Sequence, residues 1–217
     1  MITSSDKDYI ETKSIKQNKT NMKSEFVGLA HWINSKFDVS VLNVFYDFIN
    51  DKNKTPRLSI ILEYKEDELK FRDDLHGNFD SEKQRLVAQK FKEIKRNEYD
   101  AENVFVIFTS FEPIAKDEAN SKIPSFEIEA MKNEIGLNDI WKIHRQFSWT
   151  TFLFFTNKQV DENSKNGNRE IFSKAYFNLL TKYDEFNYFK ENTFSILLDS
   201  KENFDNNYSS NWFYYDR

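Results

Sequence analysis

The sequence predicts an α+β fold: a mostly antiparallel or mixed sheet with helices packed against it. Three observations lead there. Short apolar runs with period-two alternation recur along the chain, and segments with apolar residues at helical spacing separate them. No stretch is rich enough in Gly, Pro or Ser to act as a linker, so residues 23–217 are expected to form one domain, preceded by a polar N-terminal tail over 1–22.

Residues 1–22 are polar, with isolated apolar side chains at Tyr9, Ile10 and Ile15, and predict a flexible arm. From Ser24, a helix start, Phe26, Leu29, Ala30, Ile33 and Phe37 share one helical face. The period changes at Asp38. Val39, Val41 and Phe45 alternate with Leu42, Val44 and Tyr46, so both strand faces are apolar, as in a central strand. Residues 50–56 form a turn by composition. Leu58, Ile60 and Leu62 then alternate with Ser59, Ile61 and Glu63, which completes a hairpin.

Residues 66–80 predict a charged loop. Ser81 and Gln84 have capping-box spacing ahead of a helix that buries Leu86, Val87, Phe91 and Ile94. Val104 to Phe111 is a buried strand ended by Pro113, and Ser125 to Ile135 a short helix with Gly136 at its C-terminal cap. Strands follow over 140–147 and 149–156, then a polar loop over 160–168. The widest apolar stripe of any helix comes next, through Ile171, Phe172, Ala175, Tyr176, Leu179, Leu180 and Tyr183. Residues 194–198 read as a late strand, and Trp212 to Tyr215 as a last one. No repeat of fixed period appears.

Composition narrows the function. Of 217 residues, 39% are apolar and 31% charged, but 22 Phe, 10 Tyr and 4 Trp supply enough large rings to build a core. The absence of cysteine excludes disulfides, thiolate metal sites and a cysteine nucleophile. There is no secretory leader pattern and no long apolar run, which predicts a cytoplasmic protein without a membrane partner. A net charge of −5 without a basic stripe argues against direct nucleic-acid binding and favours a basic protein partner. The 4 glycines are far apart, so no phosphate-cradling loop exists. His31, His76 and His144 have no ligand spacing, and neither a metal site nor a cofactor is expected. His144 faces solvent or a second layer over its strand.

Glu63 and Lys65, two apart, point to one face of their strand, with Asp47 on the strand before and Glu25 on the preceding helix. This order is similar to the core of nucleases with a PD-(D/E)xK active site. The resemblance, over about residues 24–110, implies that Asp47 and Glu63 hold Mg²⁺ and Lys65 steadies water or phosphate. The chain departs from the pattern in lacking a Pro before the Asp and in its acidic surroundings, which repel a phosphate backbone.

Two other features imply binding rather than catalysis. One is the acidic stretch with Glu66, Asp67, Glu68, Asp73 and Asp74, suited to a basic partner. The other is the aromatic C-terminus with Tyr208, Trp212, Tyr214 and Tyr215, residue types that concentrate energy at interfaces. The expectation is a non-catalytic protein-binding module, an immunity protein that neutralises a nuclease-type toxin of bacterial origin. The alternative is a Mg²⁺-dependent nuclease centred on Glu63 and Lys65.

Overall fold

Two small mixed sheets with helices around them make up the α+β fold. A computed structural model describes residues 3–49, 54–73, 77–95, 99–146 and 149–216. The chain divides into two compact units, residues 1–114 and 115–217, each with a hydrophobic core. Among the described residues no helix is long and apolar enough to cross a membrane.

The first unit runs α1 (Lys7–Lys16), α2 (Ser24–Phe37), β1 (Val41–Phe48), β2 (Pro56–Leu62), α3 (Lys65–Leu69), α4 (Ser81–Ile94) and β3 (Phe105–Ser110). The expected hairpin is present: β1 pairs antiparallel with β2, and β3 joins β2 in parallel. Leu58, Ile60 and Leu62 of β2 and Val106 and Phe108 of β3 pack with α2 and α4 through Phe26, Ile33, Val87 and Phe91. Phe71 stacks on Phe108 with ring centroids 3.9 Å apart.

Local chemistry differs from the sequence reading at three places here. The cap of α4 is Asp80, whose carboxylate takes the amides of Glu82 and Lys83, one residue ahead of the Ser81 start. The charged loop contains the short helix α3. The polar arm over 1–22 carries helix α1, with Tyr9 and Thr12 buried. One aromatic, stacked on Phe111 at 4.8 Å, anchors this helix without any periodic stripe. Asn43 adds a hydrogen bond to Thr12 at 3.3 Å.

α5 (Glu112–Lys122) leads into the second unit, followed by α6 (Ser125–Glu134), β4 (Ile140–Gln146), β5 (Trp149–Phe154), α7 (Asn157–Lys165), α8 (Asn168–Leu180), β6 (Leu197–Ser200), α9 (Lys201–Tyr208) and α10 (Trp212–Tyr215). β4 and β5 are antiparallel, and β6 joins β5 in parallel. Phe152, Phe154, Phe172, Tyr176 and Leu180 form the heart of this core. Gly136, at φ +67°, follows α6 and lets Leu137 donate back to the Lys132 carbonyl at 2.8 Å. The stretch 160–168 is largely helix α7, and the expected terminal strand Trp212 to Tyr215 is instead helix α10. Four adjacent aromatics on a strand would alternate between two faces; as one turn they place Trp212 and Tyr215 together.

Both units follow one plan: helix, hairpin, two helices, a strand parallel to the hairpin's inner strand, helix. The registers agree in detail. Val41 faces Leu62, a bulge intervenes, and Asn43 faces Ile61; Ile140 faces Phe154, a bulge intervenes, and Lys142 faces Leu153. Leu62 then pairs with Ser110, as Phe154 pairs with Ser200. Two residues past each serine stands a glutamate with the same task. The Glu112 amide donates to the Glu63 carbonyl at 3.0 Å, and its carboxylate accepts from the Lys65 amide at 3.1 Å. The Glu202 amide donates to the Phe155 carbonyl at 3.2 Å, and its carboxylate accepts from the Asn157 amide at 2.9 Å. Sequence comparison by fixed period misses this repeat because the matching elements are separated by loops of different length.

Two outcomes test this organisation. Tyr9→Ala should lower the unfolding free energy by about 3 kcal/mol in urea titration, as deletion of a buried ring does; an arm that is not docked would show no change. Glu112→Ala and Glu202→Ala should each cost about 1 kcal/mol, the value of a lost helix-start cap, in thermal melts.

Candidate functional site

The acidic stretch is divided by the fold. Glu66 is exposed, Asp73 is half-buried, and Asp74, like His76, lies outside the described residues. Asp67 and Glu68 are buried and turned inward. Asp67 accepts from the Ser40 amide at 3.0 Å and pairs with Lys70 at 3.3 Å. Glu68 accepts from the Ser110 amide at 3.1 Å and hydroxyl at 2.7 Å, and faces Arg72 at 2.7 Å and Lys65 at 3.0 Å. Burial alone would raise the Glu68 carboxyl, but these donors outweigh it and hold it below the usual range. The helix α3 brings this about: its one turn aims two consecutive acids at the end of the sheet.

Asp47, Glu63 and Lys65 are not brought together. Asp47 faces Arg57 across the hairpin and binds it through two hydrogen bonds, Nε to Oδ1 at 2.8 Å and Nη2 to Oδ2 at 2.5 Å. Glu63 stands at the other end of β2, six residues from Arg57 and so about 20 Å away along an extended strand. It receives Lys16 at 2.5 Å and the Ser40 hydroxyl at 3.2 Å. Lys65 faces Glu68. Among the described residues no group of three or more His, Asp or Glu side chains is arranged to hold a metal ion.

The aromatic C-terminus builds a groove on the second unit. β4, β5 and β6 each turn alternate residues away from the core, and cross-strand register lines up His144, Thr151 and Leu197 in one row. α9 and α10 close over one end of that face. The His144 ring stacks on Trp212 with centroids 4.1 Å apart, and its Nε2 lies 2.9 Å from Asp216 Oδ1 and 3.2 Å from Gln146 Oε1. Its expected outward direction therefore leads to a second layer. Trp212 also stacks on Phe204 at 4.2 Å. The Tyr215 hydroxyl donates to Asp199 Oδ2 at 2.7 Å; burial, reinforced by the Asp199 carboxylate, pushes its ionisation well up, so it remains a donor.

Of the aromatic residues singled out in the sequence, Tyr208 and Tyr215 line this groove, Trp212 backs His144, and Tyr214 points away. The groove encloses about 380 Å³. Sequence reasoning missed Gln146, Trp149, Asp199 and Asp216 as its walls, because strand register and the α10 turn alone bring them together. A larger concavity of about 490 Å³ lies between α6 and α8, lined by Glu127, Met131, Ile171, Lys174 and Lys182 among others. It is an interhelical furrow bridged by the Lys182–Glu127 ion pair at 2.9 Å.

The missed helices did carry signals. Thr156 and Gln159 form the capping box of α7, with both reciprocal hydrogen bonds made. Pro113 stands in the first turn of α5, where proline is tolerated. No protein-family model, curated protein or solved structure matches the chain.

The buried acid yields a pH prediction. Because the Glu68 carboxyl is depressed in the folded state, its stabilisation is complete above the unfolded value of about 4.3 and is lost as pH falls through the lower folded value. Glu68→Gln should therefore flatten the acid limb of a stability–pH curve followed by circular dichroism. An unchanged acid limb would show that Glu68 contributes no such linkage.

Proposed function

We propose that this protein is a non-catalytic binding module, an immunity-type inhibitor of bacterial origin that neutralises a cognate toxin by direct contact. The observation that carries the reading is the aromatic surface of the second unit. Trp149 is 63% exposed, Phe213 60% and Tyr214 54%, while neighbouring rings are packed and fixed. Exposing large rings costs solvation that a monomer gains nothing from, and partner binding recovers it. Carboxylates at the groove and the net charge of −5 favour a basic partner, of which a nuclease toxin is one example. The partner is a protein, with no role for a membrane or for nucleic acid bound directly.

The same electrostatics weigh against the alternative nuclease reading. Asp47 is neutralised by Arg57 at one end of the hairpin while Glu63 sits at the other. A divalent ion needs both within one coordination sphere.

The test is co-expression with the product of the adjacent reading frame, followed by size-exclusion chromatography and a host-growth assay. A stable complex and relief of toxicity are expected. Trp149→Ala combined with Tyr214→Ala should weaken the complex by about thirtyfold, the effect of losing a hot-spot contact of about 2 kcal/mol. Cleavage of DNA or RNA by the purified protein, abolished in Glu63→Ala, would overturn the reading.

A further inference from the structure

Because both units share one register, equivalent positions on their outward sheet faces can be compared directly. At the distal end of the hairpin, Asp47 faces Arg57 in the first unit, and Gln146 faces Trp149 in the second. One row further in, Phe45 and Ser59 correspond to His144 and Thr151. The first unit fills this end with a cation of its own. The Arg57 guanidinium is held through two hydrogen bonds by Asp47 and lies also in the field of Asp8 from α1.

Among the described residues the second unit has no lysine or arginine at this end, and His144 is turned onto Asp216. No Lys or Arg lines its groove among the described residues, whereas Asp199, Asp216, Trp149, Tyr208 and Tyr215 do. A lysine of the same strand face, Lys142, is taken up over the Trp212 ring at 4.2 Å. Carboxylates and aromatic faces around a solvent-open concavity are the chemistry that receives a guanidinium.

We propose that this groove receives an arginine side chain from a basic segment of the partner. The inference rests on the reading that this face docks a protein, and it names the group that enters. Asp199 supplies a fixed negative charge. Its oxygens already accept from Tyr215, from Asn203 and from the Ser200 amide, so it does not move to meet a ligand. Asp216 spends Oδ1 on His144, and among the described residues its Oδ2 remains for the incoming N–H groups. Trp149, at the lip, offers a ring face for stacking. At about 380 Å³ the space is near the small end of ligand pockets, which suits one side chain better than a cofactor.

The probe is a short acetylated and amidated Gly-Arg-Gly-Arg-Gly peptide, titrated into full-length protein labelled with ¹⁵N at tryptophan. The citrulline counterpart, equal in shape and uncharged, serves as the control. The Trp149 indole resonance, assigned with Trp149→Phe, should shift saturably with the arginine peptide and hardly with the citrulline one. Asp216→Asn should raise the dissociation constant about tenfold, and added salt should weaken binding.

Absence of a saturable shift at millimolar peptide would overturn the proposal, as would equal shifts with both peptides, the mark of a merely apolar surface. So would a Trp149 shift on Arg217→Ala without any peptide, which would make an arginine of the chain itself the occupant. Failure here and failure of the inhibitor reading are separable. A toxin complex unaffected by Trp149→Ala and Asp216→Asn sinks the groove alone. Arginine-selective binding without neutralisation of any toxin supports the groove and sinks the inhibitor reading.

Discussion

Each unit depends on a parallel pairing made late in its sequence. β3 returns to the inner strand of a hairpin completed more than forty residues earlier, and β6 does the same. Closing so long a loop costs chain entropy before any contact repays it. The burial of Val106 and Phe108 against β2 offsets that cost in the first unit, and Ile196 beside Phe152 and Phe172 does so in the second. The glutamate past the strand end then ties the helix after β2, or after β5, to the returning segment. One residue thus joins backbone from both sides of the closure.

Aromatic packing explains how a chain so rich in charge sustains two cores. The first stacks Phe71 on Phe108 and Tyr9 on Phe111; the second gathers Phe152, Phe172 and Tyr176. Each ring removes a large area from water, so few are needed per core. Some rings stay outside in both units, Phe48 and Phe105 in the first and Phe126, Trp149, Phe213 and Tyr214 in the second; on the second unit's outward face they stand beside α10. There Trp212, Tyr215 and Phe204 form a rigid backing while Trp149 stays open. A preorganised aromatic wall loses little conformational freedom on binding, which is the property a docking surface requires.

The two outward faces show how one scaffold is finished in two different ways. Where the first unit neutralises its own arginine with Asp47 and covers the sheet with α1, the second places a tryptophan and closes only part of the sheet with α10. The strand geometry is the same in both; the side chains at a few registered positions decide whether the face is filled from within.

The sequence by itself determined the α+β class, the first hairpin, the strands it placed over 104–111, 140–147 and 149–156, and the helices with wide apolar stripes. Those signals are local, since period and burial are written in neighbouring residues. Short capped helices were less legible, because α5, α7 and α9 lack a stripe and are fixed by single residues such as Pro113, Thr156 and Ser200. Of the candidate site, Tyr208, Trp212 and Tyr215 could be picked out by residue type, but not their partners. Tertiary structure alone decided that Asp67 and Glu68 face inward, that Asp47 and Glu63 lie apart, and that Trp149, Asp199 and Asp216 meet. Each of these depends on which strands pair and in what register, and pairing is set by contacts between residues far apart in the chain.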